Sequence, residues 1–227
     1  MRFYSQKGED SILWEFFKNR RSGTYVDIGA MDGLRNSNTY YFEKLGWSGM
    51  CVEAHPKYAG LCRKNRPGSI NIYAAVGSQV KQFTEFCASP FGAASCIKAI
   101  NTKRICTKNN QNIRELKIIR VPMVTMNFLL QLHGITSVDY VSVDVEGTEI
   151  DVLRGFNLER YKPRLVILEH NFLVNIRNMR KYMHQKGYHF ARSIRINSFY
   201  CRTKKDASVL KAIEPKKSDP TPHPFRK

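Results

Sequence analysis

Short β-branched apolar runs alternate along the chain with longer stretches of mixed polarity. This is the pattern of strands separated by helices in a parallel α/β sheet. Thr24-Tyr-Val-Asp-Ile-Gly29 is apolar, β-branched and closed by glycine, so it reads as a buried first strand. Gly49 to Glu53 (GMCVE) reads as the second strand and Ile70 to Val76 (INIYAAV) as the third. Between the first two, Asn38 to Leu45 predicts a helix ended by Gly46. Ser137 to Asp144 (SVDYVSVD) and Arg164 to Glu169 (RLVILE) predict a fourth and a fifth strand, with a helix from Glu149 to Arg154 between them. Near the end, GYHFARSIR and SFYCR flank Ile196-Asn197 as an antiparallel pair joined by a turn.

Two regions depart from this pattern. Residues 98–120 are polar, basic and without periodicity, which predicts a surface insertion leading into a strand near Lys117 to Val124. From Lys204 the chain is basic and carries Pro215, Pro220, Pro222 and Pro224, so residues 204–227 are expected to form a poorly ordered tail. The expected organisation is one α/β domain over residues 1–203, interrupted by the insertion at 98–120, followed by that tail.

Composition sharpens the picture. The 227 residues suffice for one domain with a hydrophobic core, and 42% hydrophobic with 25% charged residues excludes a disordered chain. No run of eighteen apolar residues is present, so no membrane span is expected, and MRFYSQKGED has no apolar segment of a secretory signal. The six cysteines (Cys51, Cys62, Cys87, Cys96, Cys106, Cys201) contain no CxxC pair. They read as thiols in a reducing compartment, and hence as a cytoplasmic chain.

The net charge of +18 predicts affinity for polyanions and says nothing about fold. Its layout is more telling. Residues 98–120 hold seven Lys or Arg against one acid, and residues 177–201 hold six against none. Residues 121–176 reverse the balance, with four bases against seven acids. Within them Asp139, Asp144, Glu146, Glu149 and Asp151 fall in thirteen residues free of Lys and Arg. An acidic cluster inside a basic protein is where chemistry is expected.

The first strand runs through Asp27 into Gly29, and Gly33 opens the next helix. Glycine there lets the backbone approach a ligand closely. The spacing is not the GxGxxG of dinucleotide binders, so the pyrophosphate turn is absent. The second strand ends at Glu53, placed to accept hydrogen bonds from both hydroxyls of a ribose. The combination suits S-adenosylmethionine, which needs ribose and ammonium acceptors and no phosphate cradle.

Four ordered blocks extend the signal. They are Tyr4-Ser-Gln-Lys-Gly-Glu-Asp10 with the helix-like SILWEFF after it, then YVDIGAMDG with Ser37-Asn38-Thr39 and Trp47 to Pro56 (WSGMCVEAHP). The others are Val138 to Gly155 (VDYVSVDVEGTEIDVLRG) and Val166-Ile-Leu-Glu-His170. Over about residues 4–200 the chain resembles the FkbM family of S-adenosylmethionine-dependent methyltransferases. The resemblance implies a Rossmann-like class I fold: a seven-stranded, mostly parallel sheet with the last strand antiparallel and helices on both faces. It implies O-methylation of hydroxyls on sugars, glycans or polyketides. It also implies that Asp27, Gly29, Gly33 and Ala54 line the cofactor, that Glu53 holds the ribose and that Ala75 and Val76 flank the adenine. Gln6, Asp10, Asn38 and Thr39 would close over the methionine end.

Methyl transfer is an in-line displacement, and a hydroxyl nucleophile benefits from a base that takes its proton. The candidates are Asp144 and Glu146 at the fourth strand's end and Glu169 and His170 at the fifth's. Alternation along an extended strand would put Asp144 and Glu146 on one side. Each has another use: Glu146 as a cap on the following helix, Asp144 as a partner of the cofactor's ammonium group, His170 as a hydrogen-bond donor within the fold. The same acids also suit a divalent cation, although no spacing demands one. The expected partner is a sugar or glycan acceptor, with glycosyltransferase domains alongside if this is one domain of a larger protein. The rival acceptor is RNA, which the basic surface would suit; against it stand the lack of an RNA-recognition aromatic motif and of a lysine near Asp144 or Glu146.

Overall fold

The computed structural model describes residues 2–89, 96–97, 116–170 and 173–218. The described chain begins with α1 (Glu9–Phe16), followed by β1 (Thr24–Ile28), α2 (Tyr40–Lys44), β2 (Ser48–Glu53), α3 (Pro56–Asn65) and β3 (Ser69–Tyr73). Four strands come next: β4 (Ala75–Val76), β5 (Lys81–Ala88), β6 (Cys96–Ile97) and β7 (Lys117–Val124). After them run α4 (Met126–Leu132), β8 (Tyr140–Val143), α5 (Glu149–Arg154), α6 (Leu158–Tyr161) and β9 (Leu165–Glu169). The chain closes with α7 (Leu173–Gln185), β10 (His189–Ile194), β11 (Asn197–Cys201) and α8 (Lys204–Ala212).

The main sheet has seven strands in the order β3-β2-β1-β8-β9-β11-β10. Its β3-β2-β1-β8-β9 portion is parallel, and β11 runs antiparallel to both β9 and β10, as the sequence implies. Side chains alternate between two cores. Val26, Ile28, Val141, Val143, Val166 and Leu168 meet α4, α5 and α7 on one face. Tyr25, Tyr140, Leu165 and Ile167 meet α1, α2 and α8 on the other.

Two sequence expectations need correction. The third strand does not continue to Val76: β3 stops at Tyr73, Ala74 donates its N–H to the Glu53 carbonyl (3.1 Å), and Ala75–Val76 pairs instead with Met123 and Val124 of β7. That pairing founds a second, four-stranded sheet in the order β4-β7-β5-β6. The strand expected at Lys117 to Val124 is present in it, whereas residues 98–115 of the expected insertion lie outside the described residues. The tail is not loose from its start. Thr203 caps α8 by accepting the Asp206 N–H (3.0 Å), Arg164 pairs with Asp206 (2.5 Å), and Ala207 and Leu210 are buried in the core. Beyond it, Lys216 donates its N–H to Ser11 Oγ (2.8 Å) and pairs its ammonium with Glu15 (2.5 Å). Residues 219–227, with Pro220, Pro222 and Pro224, lie outside the described residues.

Candidate active site

The C-terminal ends of β1, β2 and β8 open on one cleft, at the point where strand order reverses between β1 and β8. The cleft encloses about 670 Å³ of space, part of it open to solvent. Ile28, Val52, Ala54, Ala75 and Val76 form its apolar floor, and Phe86 of β5 and Ile97 of β6 close it from the second sheet. Met31, Tyr58, Val145 and Thr148 complete the walls, with Glu53, Asp144 and Glu146 as the acids.

Gly29 is fixed by a close approach of backbones. Its φ is +84°, its N–H donates to the Val52 carbonyl (2.9 Å), and a Cβ would collide with the Asp144 carbonyl oxygen. Glu53 accepts the Met31 N–H on one carboxylate oxygen (2.8 Å) and the His55 N–H on the other (2.7 Å). Burial pushes this carboxyl up to about 7, with the Asp144 charge adding and the two N–H groups opposing. Each oxygen keeps a further lone pair for a ligand hydroxyl.

Six residues assigned to the cofactor do not line the cleft. Asp27 is buried and accepts the Thr39 hydroxyl (2.6 Å); burial raises its pKa against the Arg66 charge. Gly33, with a φ of +79°, gives its carbonyl to Arg66 (2.9 Å) and faces the Arg66 and Cys62 side chains. Asn38 donates to Ser142 Oγ (3.1 Å). Asp10 is fully buried and spends its carboxylate on the Ser5 hydroxyl (2.6 Å) and the Tyr4 and Ser5 amides, which shapes the loop holding half-buried Gln6. Thr39 is fully buried between Asp27 and Arg66. The network turns on Arg66, which donates to Glu43 (2.7 Å), Thr39 (3.1 Å) and Tyr25 (2.6 Å) with no exposed surface of its own.

The four proposed acid–base residues do come together in part. Oxygens of Asp144, Glu146 and Glu169 lie within 4.8 Å of one another. The extended geometry stops at Val143: Glu146 is left-handed (φ +56°) and Gly147 follows at φ +109°, yet Asp144 and Glu146 still line the same cleft. Glu169 is 5% exposed, and its Oε2 accepts no hydrogen bond. Burial holds its carboxyl well above the usual carboxylate range, and the adjacent Asp144 raises it further. His170 is buried beside it and donates its backbone N–H to the Ile196 carbonyl (2.7 Å). A fourth acid, Glu149, accepts the Gly147 N–H (2.8 Å), and burial pushes it up to about 7. Sequence reasoning counted Glu149 among the clustered acids without giving it a role. It missed Arg66, Met31, Tyr58, Phe86, Ile97 and Thr148; the position of Thr148 just before the helix at Glu149 was a usable signal.

This strand order, with an antiparallel β11 and an acid-ended β2 beside a cleft lacking a phosphate loop, defines a Rossmann-like class I fold of S-adenosylmethionine-dependent methyltransferases. Residues 27–190 match the family model of the methyltransferase FkbM domain, and the chain belongs to that family. It is an S-adenosylmethionine-dependent methyltransferase. No curated protein matches the sequence. Among solved structures, a TehB-like SAM-dependent methyltransferase from Corynebacterium glutamicum aligns at a TM-score of 0.47 and 8% identity, covering 88% of this chain and 89% of its own. The ribosomal protein L11 methylase from Lactobacillus delbrueckii subsp. bulgaricus aligns at 0.44 and 9%, covering 83% and 74%. The human methyltransferase 10 domain containing protein aligns at 0.41 and 11%, covering 87% and 83%. Among the described residues, no helix is long and apolar enough to cross a membrane.

Proposed function

We propose that the chain transfers a methyl group to a hydroxyl of a sugar or glycan. The observation that carries this reading is the convergence of Asp144, Glu146 and Glu169 from two strand ends at the mouth of the cofactor cleft. The cleft's donor set suits S-adenosylmethionine: a carboxylate oriented by two backbone amides for the ribose, and Val52, Ala75, Val76 and Phe86 as apolar surface for the adenine. Asp27, Thr39, Asn38 and Gly33 act as positioning residues behind Gly29 and Glu53, and Asp10 holds the Tyr4–Gln6 loop.

The bound cofactor supplies an electrophilic methyl group on a sulfonium. A neutral hydroxyl is a poor nucleophile, so the residues that face it must receive its proton as the O–C bond forms. Asp144 is exposed at the cleft and takes that role, with Glu146 beside it. Glu169 is buried next to Asp144, with His170 beside it, and the two back the acidic pair from the β9 end. The acceptor is a sugar or glycan, made by glycosyltransferase activity that belongs to a partner or to further domains of the same protein.

RNA is the second reading, favoured by a groove lined by Arg180, Lys181, His184, His189 and Lys204 with Phe190 exposed among them. It lies where β10 pairs with the Tyr200–Cys201 end of β11, away from the Glu169 end that carries the acids. Incubation with labelled S-adenosylmethionine and separate panels of sugars, glycans and RNA decides between them. Label on a sugar hydroxyl is the expected result, and label on RNA alone overturns the glycan reading. In calorimetry Glu53→Ala should weaken S-adenosylmethionine binding severalfold; unchanged affinity would remove Glu53 from the ribose.

A further inference from the structure

We infer that Asp144, Glu146 and Glu169 form a binding site for a hard divalent cation, Mg²⁺ or Mn²⁺, at the acceptor side of the cleft. Each residue offers one carboxylate oxygen, and these oxygens lie within 4.8 Å of one another. A cation at about 2.0–2.6 Å from each oxygen needs no more than this convergence. All-oxygen ligands of this kind select Mg²⁺, Ca²⁺ or Mn²⁺ over softer metals.

An acidic cluster alone would not make a site, because exposed acids repel one another and remain solvated. Glu169 supplies the second observation. It comes from a different strand, it is 5% exposed, one of its carboxylate oxygens lies in this cluster, and its Oε2 has no hydrogen-bond partner. A buried carboxylate oxygen without a donor is costly, and no described Lys or Arg forms an ion pair with Glu169 or Asp144. What can satisfy it is a proton or a cation shared with Asp144. Asp144 is exposed and Glu146 half-exposed, both on the cleft wall, so a cation can enter and keep open positions toward the acceptor.

The inference rests on the methyltransferase reading for its purpose: an acceptor hydroxyl on one of those positions loses its proton more readily. As the O–C bond forms and the C–S bond breaks, the hydroxyl proton passes to the Asp144 oxygen not used as a ligand and on to solvent, while Glu146 and Glu169 remain ligands.

Mn²⁺ binding to the full chain, read from the loss of the free-ion electron paramagnetic resonance signal, tests the site, with Mg²⁺ as competitor. The expected result is one Mn²⁺ per chain, displaced by Mg²⁺ and weakened about tenfold or more by Asp144→Asn and by Glu169→Gln. Asp144 is exposed, so its variant is expected to fold even if Glu169→Gln does not. No Mn²⁺ bound at millimolar concentration, or equal binding by wild type and Asp144→Asn, overturns the site and shows that Glu169 and Asp144 share a proton only. Calorimetric titration with S-adenosylmethionine runs beside it. Cofactor binding without Mn²⁺ binding sinks the cation site alone, whereas Mn²⁺ binding without cofactor binding sinks the methyltransferase assignment of the cleft.

Discussion

A guanidinium sealed from water must place every N–H on an acceptor, and Arg66 does so through Glu43, Gly33, Thr39 and Tyr25. Removing one partner of a buried ion pair leaves the other desolvated and alone, at about 3–5 kcal/mol. Arg66→Met should therefore lower the unfolding free energy by about that much in urea, because Glu43 and Asp27 lose their counter-charge. Arg66→Lys should recover little of it, since an ammonium cannot reproduce the fork. A loss under about 1 kcal/mol would mean that the network is better hydrated than its burial implies. In the sequence this residue sits in RKNRPGS, which reads as solvated charge. Glu53 and Asp144 were legible for the opposite reason: each ends an apolar run, where a charge has no place unless the cleft uses it.

Strands β1, β2, β8 and β9 were legible because both faces of the sheet are buried there, which leaves uninterrupted apolar runs, and the final hairpin because β-rich runs flank a turn. The second sheet was not. β5 reads KQFTEFCA, and its first five residues are largely exposed, so its apolar face is confined to Phe86, Cys87 and Ala88. With β5 unread, Phe86 and Ile97 could not be placed against the cofactor cleft. Helix α8 was also missed, although Thr203-Lys-Lys-Asp206 is a capping-box pattern; the lysines and later prolines masked it. Leu210 is fully buried on this helix, so Leu210→Ala should cost about 2–5 kcal/mol and Thr203→Ala about 1 kcal/mol in thermal denaturation. Unchanged melting in Leu210→Ala would show that α8 lies outside the cooperative unit.

Over the whole molecule, protons follow the burial of the acids. Glu53 and Glu149 are pushed up to about 7, and Asp10, Asp27 and Glu169 are also raised. Between the ordinary carboxylate range and pH 7 the folded chain thus holds protons that the unfolded chain has released. Stability then falls as pH rises through that window. With a chelator present, the unfolding free energy should drop between pH 5 and 8, and Glu149→Gln should remove about 1–3 kcal/mol of that drop. A wild-type curve that rises with pH would show these acids to be ionised at neutrality. The net charge of +18 pointed toward polyanions, yet the acids gather where the cleft opens. The cleft has one further consequence. Its floor draws on both sheets, with Ile28 and Val52 from the seven-stranded one and Ala75 and Val76 from the four-stranded one, and its cover, Phe86 and Ile97, belongs to the four-stranded one. Whatever fills the space touches both, so occupancy and the docking of the small sheet are thermodynamically linked. Amide exchange along β5 would register that linkage as slowing when the cleft is loaded, turning a strand that performs no chemistry into a gauge of ligand occupancy.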